Sequence, residues 1–188
     1  MRNSVFVALI LAMLAGAAAA QGPGSGNVFF GYSYYNTNLS SSDRANMNGW
    51  EATLEGKVFP HVGFVADFSN HYGSENFQPS FACPGSLPCL PPPFTSANVA
   101  VTNVLFGPRV YASIGRFRPF AEALFGVGHV NANAAGSDTS FATALGGGLD
   151  YRIIRPVAWR FQGDYVETRF FGTTQNNVRL STGIVIRF

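Results

Sequence analysis

The feature that most constrains this chain is an apolar period of two, which runs from Val28 to Phe188 in segments of about ten residues broken by Gly, Pro, Asn and Ser clusters. Such a period puts alternate side chains on opposite faces of an extended strand, so it selects sheet over helix. The segments run from about Val28 to Tyr35, Gly49 to Phe59, Val62 to Tyr72, Ala97 to Ala112, Pro119 to Val130, Ser140 to Tyr151, Val157 to Phe170 and Asn177 to Phe188. After the second, fourth and sixth segments the connections are short: Pro60-His61, Ser113 to Arg118, and Arg152 to Pro156. After the others they are longer and more polar, and the longest runs from about Gly73 to Ser96. An even number of strands, short turns at one end and long loops at the other predict an all-β, eight-stranded antiparallel up-and-down transmembrane barrel.

The two faces of each strand carry different chemistry. In WEATLEGKV, Trp50, Ala52, Leu54 and Val58 share one face while Glu51, Thr53, Glu55 and Lys57 share the other. RFQGDY repeats this with Trp159, Phe161 and Tyr165 opposite Arg160, Gln162 and Asp164, and PFAEALFGV does so less cleanly. Strand by strand, a half-buried sheet with a solvated outer face explains the same alternation. Against it stand the glycines of the polar face (Gly126, Gly146, Gly148, Gly183), which suit a crowded interior, and a strand length fit to cross a bilayer. The charges of that face also nearly balance: Glu51, Glu55, Asp67, Glu122, Asp150 and Asp164 against Lys57, Arg109, Arg160, Arg179 and Arg187. The expected interior network is Glu51, Glu55, Arg109, Glu122, Asp150, Arg160, Asp164 and Arg179. Tyr32, Tyr34, Trp50, Phe64, Phe68, Phe120, Tyr151, Trp159, Tyr165 and Phe188 fall near segment ends, where aromatic rings sit at membrane interfaces.

With 188 residues the chain has room for one domain, and 12% charged residues beside 47% apolar is low for a water-facing surface. Arg2, the apolar run Val5 to Leu14 and Ala18-Ala19-Ala20 before Gln21 describe a signal peptide over Met1 to Ala20. The expected organisation is therefore signal peptide 1–20, linker 21–27 and barrel 28–188. No later stretch holds eighteen uninterrupted apolar residues, the threshold for a spanning helix. A net charge of +2, or +1 without Arg2, does not suggest a nucleic-acid surface. Cys83 and Cys89, within SFACPGSLPCLPPP, are expected to close a small disulfide loop in an oxidising compartment. Two sulfurs with no His, Asp or Glu between Phe81 and Phe94 make a poor metal site.

The chain closes on LSTGIVIRF, with Leu180, Ile184, Ile186 and Phe188 on one face. This stretch resembles the C-terminal signal by which bacterial outer-membrane barrels are recognised by their assembly machinery. NVLFGPRVYAS, RFRPFAEALFGVGH, ATALGGGLDYRI and WRFQGDYVETRF, with the rest of Val28 to Phe188, resemble the small eight-stranded outer-membrane barrels of the OmpA and OmpX type. The resemblance implies a bacterial outer-membrane protein, reached by export, with a lumen plugged by ion pairs and loops that contact the outside. Its implied surroundings are lipid, lipopolysaccharide and the barrel-assembly machinery, with an extracellular ligand or surface partner at the loops and a monomeric state. The peptidoglycan-binding domain of full-length OmpA is expected to be missing.

No catalytic residues, cofactor or metal are expected. Paired carboxylates inside a narrow barrel favour charge pairing over acid–base work. Small outer-membrane lipid A deacylases use a His, a Ser and a Glu at the rim; here His129 is followed two residues on by Asn131 instead of Ser. His61 and His71 are expected to be bystanders, Gly146 to Gly148 to let strands curve, and Asn38-Leu39-Ser40 to be a formal sequon only. Arg116, Arg118, Arg152 and Arg155 fall in the short turns, where they could meet phospholipid head groups. The rival readings are a lipid-modifying barrel enzyme and a soluble lipocalin-like barrel, which would hold an apolar ligand and turn Glu51 and Glu55 to solvent.

Overall fold

The computed structural model describes residues 25–38, 44–77, 95–133 and 136–188. The signal peptide expected over Met1 to Ala20, most of the linker, the Cys83–Cys89 loop and Leu39-Ser40 of the sequon lie outside them.

Eight strands follow one another: β1 (Gly26–Thr37), β2 (Ala45–Phe59), β3 (Val62–Phe77), β4 (Thr95–Tyr111), β5 (Phe117–Ala132), β6 (Gly136–Arg152), β7 (Val157–Thr168) and β8 (Gln175–Arg187). Each pairs antiparallel with its neighbours in sequence, and β8 pairs antiparallel with β1 from Asn27↔Arg187 to Asn36↔Val178. The sheet is thereby a closed up-and-down barrel, which leaves no open edge. Among the described residues no helix is long and apolar enough to cross a membrane; one 3-10 turn, η1 (Phe170–Gly172), follows β7.

All eight expected strands are present, and most are longer than their apolar alternation. The extra residues lie mainly at the long-loop end: β2 starts at Ala45, β3 runs to Phe77 and β6 starts at Gly136. There the ladder continues, as in Asn36↔Asn46 and Asn131↔Ser137, with polar residues facing outward while Met47 and Ala132 face the interior. Burial of one face keeps the register specified there even though the other face is polar.

Two connections show local backbone demands. Pro60-His61 joins β2 to β3 with His61 at φ 69°, which fits a turn with Pro at its second position and a left-handed residue at its third. At the other end β7 stops at Thr168, two residues before its expected end. Phe171 at φ 51° and Gly172 at φ 74° turn the backbone out of the extended region and leave Phe170 buried.

Side-chain sidedness follows strand parity. In β5, Arg118, Phe120, Glu122, Leu124, Gly128, Val130 and Ala132 are buried while the residues between them are exposed, apart from the partly exposed Gly126. In β7 Ala158, Arg160, Gln162, Asp164, Val166 and Thr168 are buried while the residues between them are exposed, apart from the partly exposed Gly163 and Glu167. Arg109, Arg160, Arg179 and Glu51 are 0% exposed, whereas Phe30, Leu145 and Phe161 are 62%, 64% and 61% exposed. The barrel is polar inside and apolar outside.

Candidate functional site: a charged lumen inside an apolar belt

The lumen owes its charges to cross-strand neighbours. Arg109 on β4 stands opposite Glu122 on β5, Arg118 on β5 and Arg160 on β7 flank Asp150 on β6, and Arg179 on β8 stands opposite Asp164 on β7. Side chains directly across a ladder are within reach of one another. Arg109 Nε donates to Glu122 Oε2 at 2.7 Å, Arg160 Nε to Asp150 Oδ1 at 2.7 Å, and Arg179 Nε to Asp164 Oδ2 at 2.9 Å.

These pairs join across the barrel. Arg109 Nη1 donates to Glu55 Oε2 at 3.0 Å, and Glu55 also pairs with Arg118. Arg179 Nη1 reaches Asp67 Oδ1 at 2.9 Å, and its Nε lies 3.5 Å from Glu51 Oε2. Gln162 Nε2 sits between three acids, 3.0 Å from Glu51 Oε1 and 2.9 Å from both Glu122 Oε1 and Asp164 Oδ2. The result is one connected network from Arg187, which pairs with Asp150 at 3.2 Å, to Asp67 and Ser69. Six carboxylates (Glu51, Glu55, Asp67, Glu122, Asp150, Asp164) meet five guanidiniums (Arg109, Arg118, Arg160, Arg179, Arg187). That near balance is what a low-dielectric interior requires, since one unpaired ion there costs several kcal/mol.

Four positions depart from the sequence reading. Lys57 is exposed, and Arg118 takes its place among the interior bases. The reason lies in the strand bounds: β5 begins at Phe117, so Arg118 has the inward parity of Glu122, while the β2–β3 ladder shifts register between Lys57 and Phe59. Phe120 is buried beneath guanidiniums instead of marking an interface, with the Arg109 and Arg160 carbons 4.3 and 4.7 Å from its ring centre. A desolvated cation over a ring is worth up to about 2 kcal/mol. His71 is fully buried, its Nε2 2.8 Å from Ser33 Oγ and its ring stacked at 4.7 Å on Tyr35. Inward parity along β3 was the signal for it, since it follows Asp67 and Ser69 at steps of two.

Above the charges the outer mouth is apolar. Tyr35, Met47, Val99, Val101, Val130, Ala132, Ala142 and Phe170 belong to one buried cluster. Gln175 fixes Phe170 by accepting from its backbone N–H at 2.8 Å and donating to its carbonyl at 3.1 Å.

Outside, apolar side chains form a belt with polar tips near the long-loop end. Tyr34 and Tyr165 hydroxyls donate to Asn46 and Asn176 at 2.6 Å each, and Tyr32 pairs with Asn48. Trp50 packs on Phe68 and Phe30, with ring centres 5.4 and 6.1 Å apart. The expected assembly residues Leu180, Ile184, Ile186 and Phe188 are all exposed on this belt. His129 faces outward, its Nδ1 2.7 Å from Thr139 Oγ1. Among the described residues no three His, Cys, Asp or Glu side chains are grouped to hold a metal ion. Every carboxylate of the lumen contacts at least one arginine.

No protein-family model matches the chain, and no curated protein matches it in sequence. Solved structures do match it in shape. The crystal structure of Neisserial surface protein A superposes with a TM-score of 0.65 at 14% identity, over 88% of this chain and 99% of that one. Ail, the attachment invasion locus protein of Yersinia pestis, superposes with TM-scores of 0.56 in complex with the heparin analogue sucrose octasulfate and 0.54 without it. Identities are 17% and 16%, again over 88% of this chain and 99% of the other. At these identities the likeness is one of fold: a single eight-stranded barrel that accounts for nearly the whole of each matched chain.

Proposed function

We propose that this protein is an integral outer-membrane β-barrel of a Gram-negative-type bacterium, non-enzymatic, with a lumen closed by its ion-pair network and outer loops that make its surface contacts. The observation that carries this reading is sidedness. Arginines and carboxylates fill the interior while Phe, Leu, Ile and Val form the outer belt, and each large apolar side chain left in water forfeits about 1.5–3 kcal/mol. A lipid exterior removes that cost. The shortest strands have 12 residues, about 40 Å of chain, which at a tilt near 45° rises about 28 Å against a hydrocarbon core of roughly 30 Å.

Short turns at the end shared with Gly26 and Phe188 then face the periplasm, and the long connections face outward. Leu180, Ile184, Ile186 and Phe188, exposed on β8, are the residues we assign to recognition by the assembly machinery. The heparin analogue held by Ail is not carried over. Among the described residues the outer end exposes Arg44 and Arg169 beside Asp138 and Glu167, with no basic excess to draw a sulfated sugar.

The test is the migration of the mature protein, folded in detergent, on a denaturing gel with and without boiling. A faster unboiled band is expected from a closed, detergent-resistant barrel. A single unchanged band, from protein that stays soluble in plain buffer, would overturn the reading in favour of the ligand-binding barrel.

A further inference from the structure

The short-turn end differs from the rest of the surface in the sign of its charge. Of the ten Asp and Glu residues, Glu51, Glu55, Asp67, Glu122, Asp150 and Asp164 lie in the lumen. Of the others, Asp138 and Glu167 are described with their side chains, and both lie at the long-loop end. Among the described residues no Asp or Glu side chain therefore stands on the short-turn rim, which carries Lys57, Arg116, Arg152 and Arg155. Large apolar side chains share it: Phe59 and Ile114 are 65% exposed and Ile154 62%. A surface both basic and apolar fits an anionic amphiphile better than it fits water.

These features converge between the β6–β7 turn and the end of β8, in a pocket of about 260 Å³ lined by Arg152, Ile154, Arg155, Pro156, Arg187 and Phe188. Two of its three arginines are anchored from behind. Arg152 Nη2 donates to the Gly115 carbonyl at 2.9 Å, and Arg187 Nη2 to Asp150 Oδ2 at 3.2 Å, while the Arg187 Nε has no partner among the described residues. Arg155 makes no ion pair among the described residues. Guanidiniums in such an arrangement offer forked donors to phosphate oxygens. The volume is below the roughly 300 Å³ of ordinary small-molecule pockets, so it suits a head group and leaves acyl chains outside.

We propose that this pocket seats the phosphate of one anionic glycerophospholipid from the leaflet beside the short turns, with Ile154 and Phe188 against the glycerol and first methylenes. The proposal rests on the membrane reading above.

The mature protein is placed in nanodiscs of phosphatidylcholine with or without phosphatidylglycerol, and lipid retained after release into detergent is counted by native mass spectrometry. One phosphatidylglycerol per barrel is expected. Retention falls roughly 30-fold in Arg152→Gln/Arg155→Gln and about fivefold in Arg155→Gln alone, at about one charge contact each. Arg116→Gln, on the same rim but outside the pocket, retains the lipid. Equal retention of the two lipids by the wild type, or unchanged retention by the double variant, overturns the proposal. Failure of the wild type to enter nanodiscs overturns the membrane reading instead. A heat-modifiable gel shift confirms that each variant has folded, and Arg155→Gln, whose side chain holds nothing in the fold, keeps the test open if the double variant has not.

Discussion

Around Arg179 the lumen is filled by charge: Glu51, Asp67 and Asp164 all lie within 3.5 Å of one guanidinium. A few residues nearer the outer mouth it is filled by Met47, Val99, Val101, Val130 and Phe170, which offer one another only contact and shape. Both regions exclude water from the same tube, but they fail differently. An apolar plug can settle into a lost side chain's space at a cost set by the remaining cavity. An ionic one cannot, because the charges left behind stay buried wherever they move. The charged lumen should therefore be the part of the barrel least tolerant of single substitutions.

The largest expected effect tests that contrast directly. Arg179→Met keeps much of the volume but strands three carboxylates, and should cost about 3–5 kcal/mol. Denaturant unfolding from lipid vesicles, followed by tryptophan fluorescence, reads the loss. A cost below that of the apolar variant next described would break the comparison.

Phe170→Ala removes the ring that closes the mouth, held by Gln175 and packed near Gly128, and should cost about 3 kcal/mol. The same unfolding assay measures it. In bilayer recordings this variant should raise ion leakage at the outer mouth before Arg179→Met does, since η1 sits over the lumen while Arg179 sits within it.

Most of the fold was legible because period two is a geometric statement: it separates two faces whatever the sequence on each. The outer strand ends were not, since beyond the belt Asn46, Asn48 and Ser137 turn polar side chains outward, and the single inward Met47 makes too short an alternation to read. Inside the lumen the pairs directly across a ladder follow once register is known. The longer contacts depend on the sheet's curl and closure: Glu55 reaches Arg109 over the intervening β3, and Arg179 on β8 reaches Asp67 on β3 only because β8 pairs with β1. Arg118, Phe120 and His71 were hidden for a simpler reason. Each has inward parity, but each stands near or beyond an end of the apolar segment expected from the sequence, where residue type (a turn Arg, an interface Phe, a loop-side His) suggests a different environment.

Within the charged region, glycine makes room for the carboxylates: Gly146 stands opposite Asp164 and Glu122. A Cβ at Gly146 would collide with Asp164 Oδ1 and come within 2.5 Å of the Gly163 carbonyl oxygen, and both neighbours are fixed by the β6–β7 ladder and the Arg179 pair. Gly146→Ala should cost about 2 kcal/mol, as overpacking does, in the same unfolding assay. Gly56→Ala, whose added methyl meets nothing within 4 Å, is the matched control. Equal behaviour of the two would mean that Asp164 can withdraw, and that the charged lumen is softer than its ion pairs imply.

The smallest effects locate the lower edge of the charged region. Arg118 and Lys57 are both bases near the short turns, but Arg118 pairs with Glu55 and Asp150 whereas Lys57 is exposed. Arg118→Gln should cost about 1.5 kcal/mol, the low end for a bond between charged groups, because Glu55 keeps Arg109 and Asp150 keeps Arg160. Lys57→Gln should stay within about 0.5 kcal/mol of wild type, as surface substitutions do. Unfolding curves of the two variants, side by side in vesicles, decide it. If Lys57→Gln proves the more damaging, Arg118 adds little to the network, and β2, not β5, supplies the more important base beside Glu55.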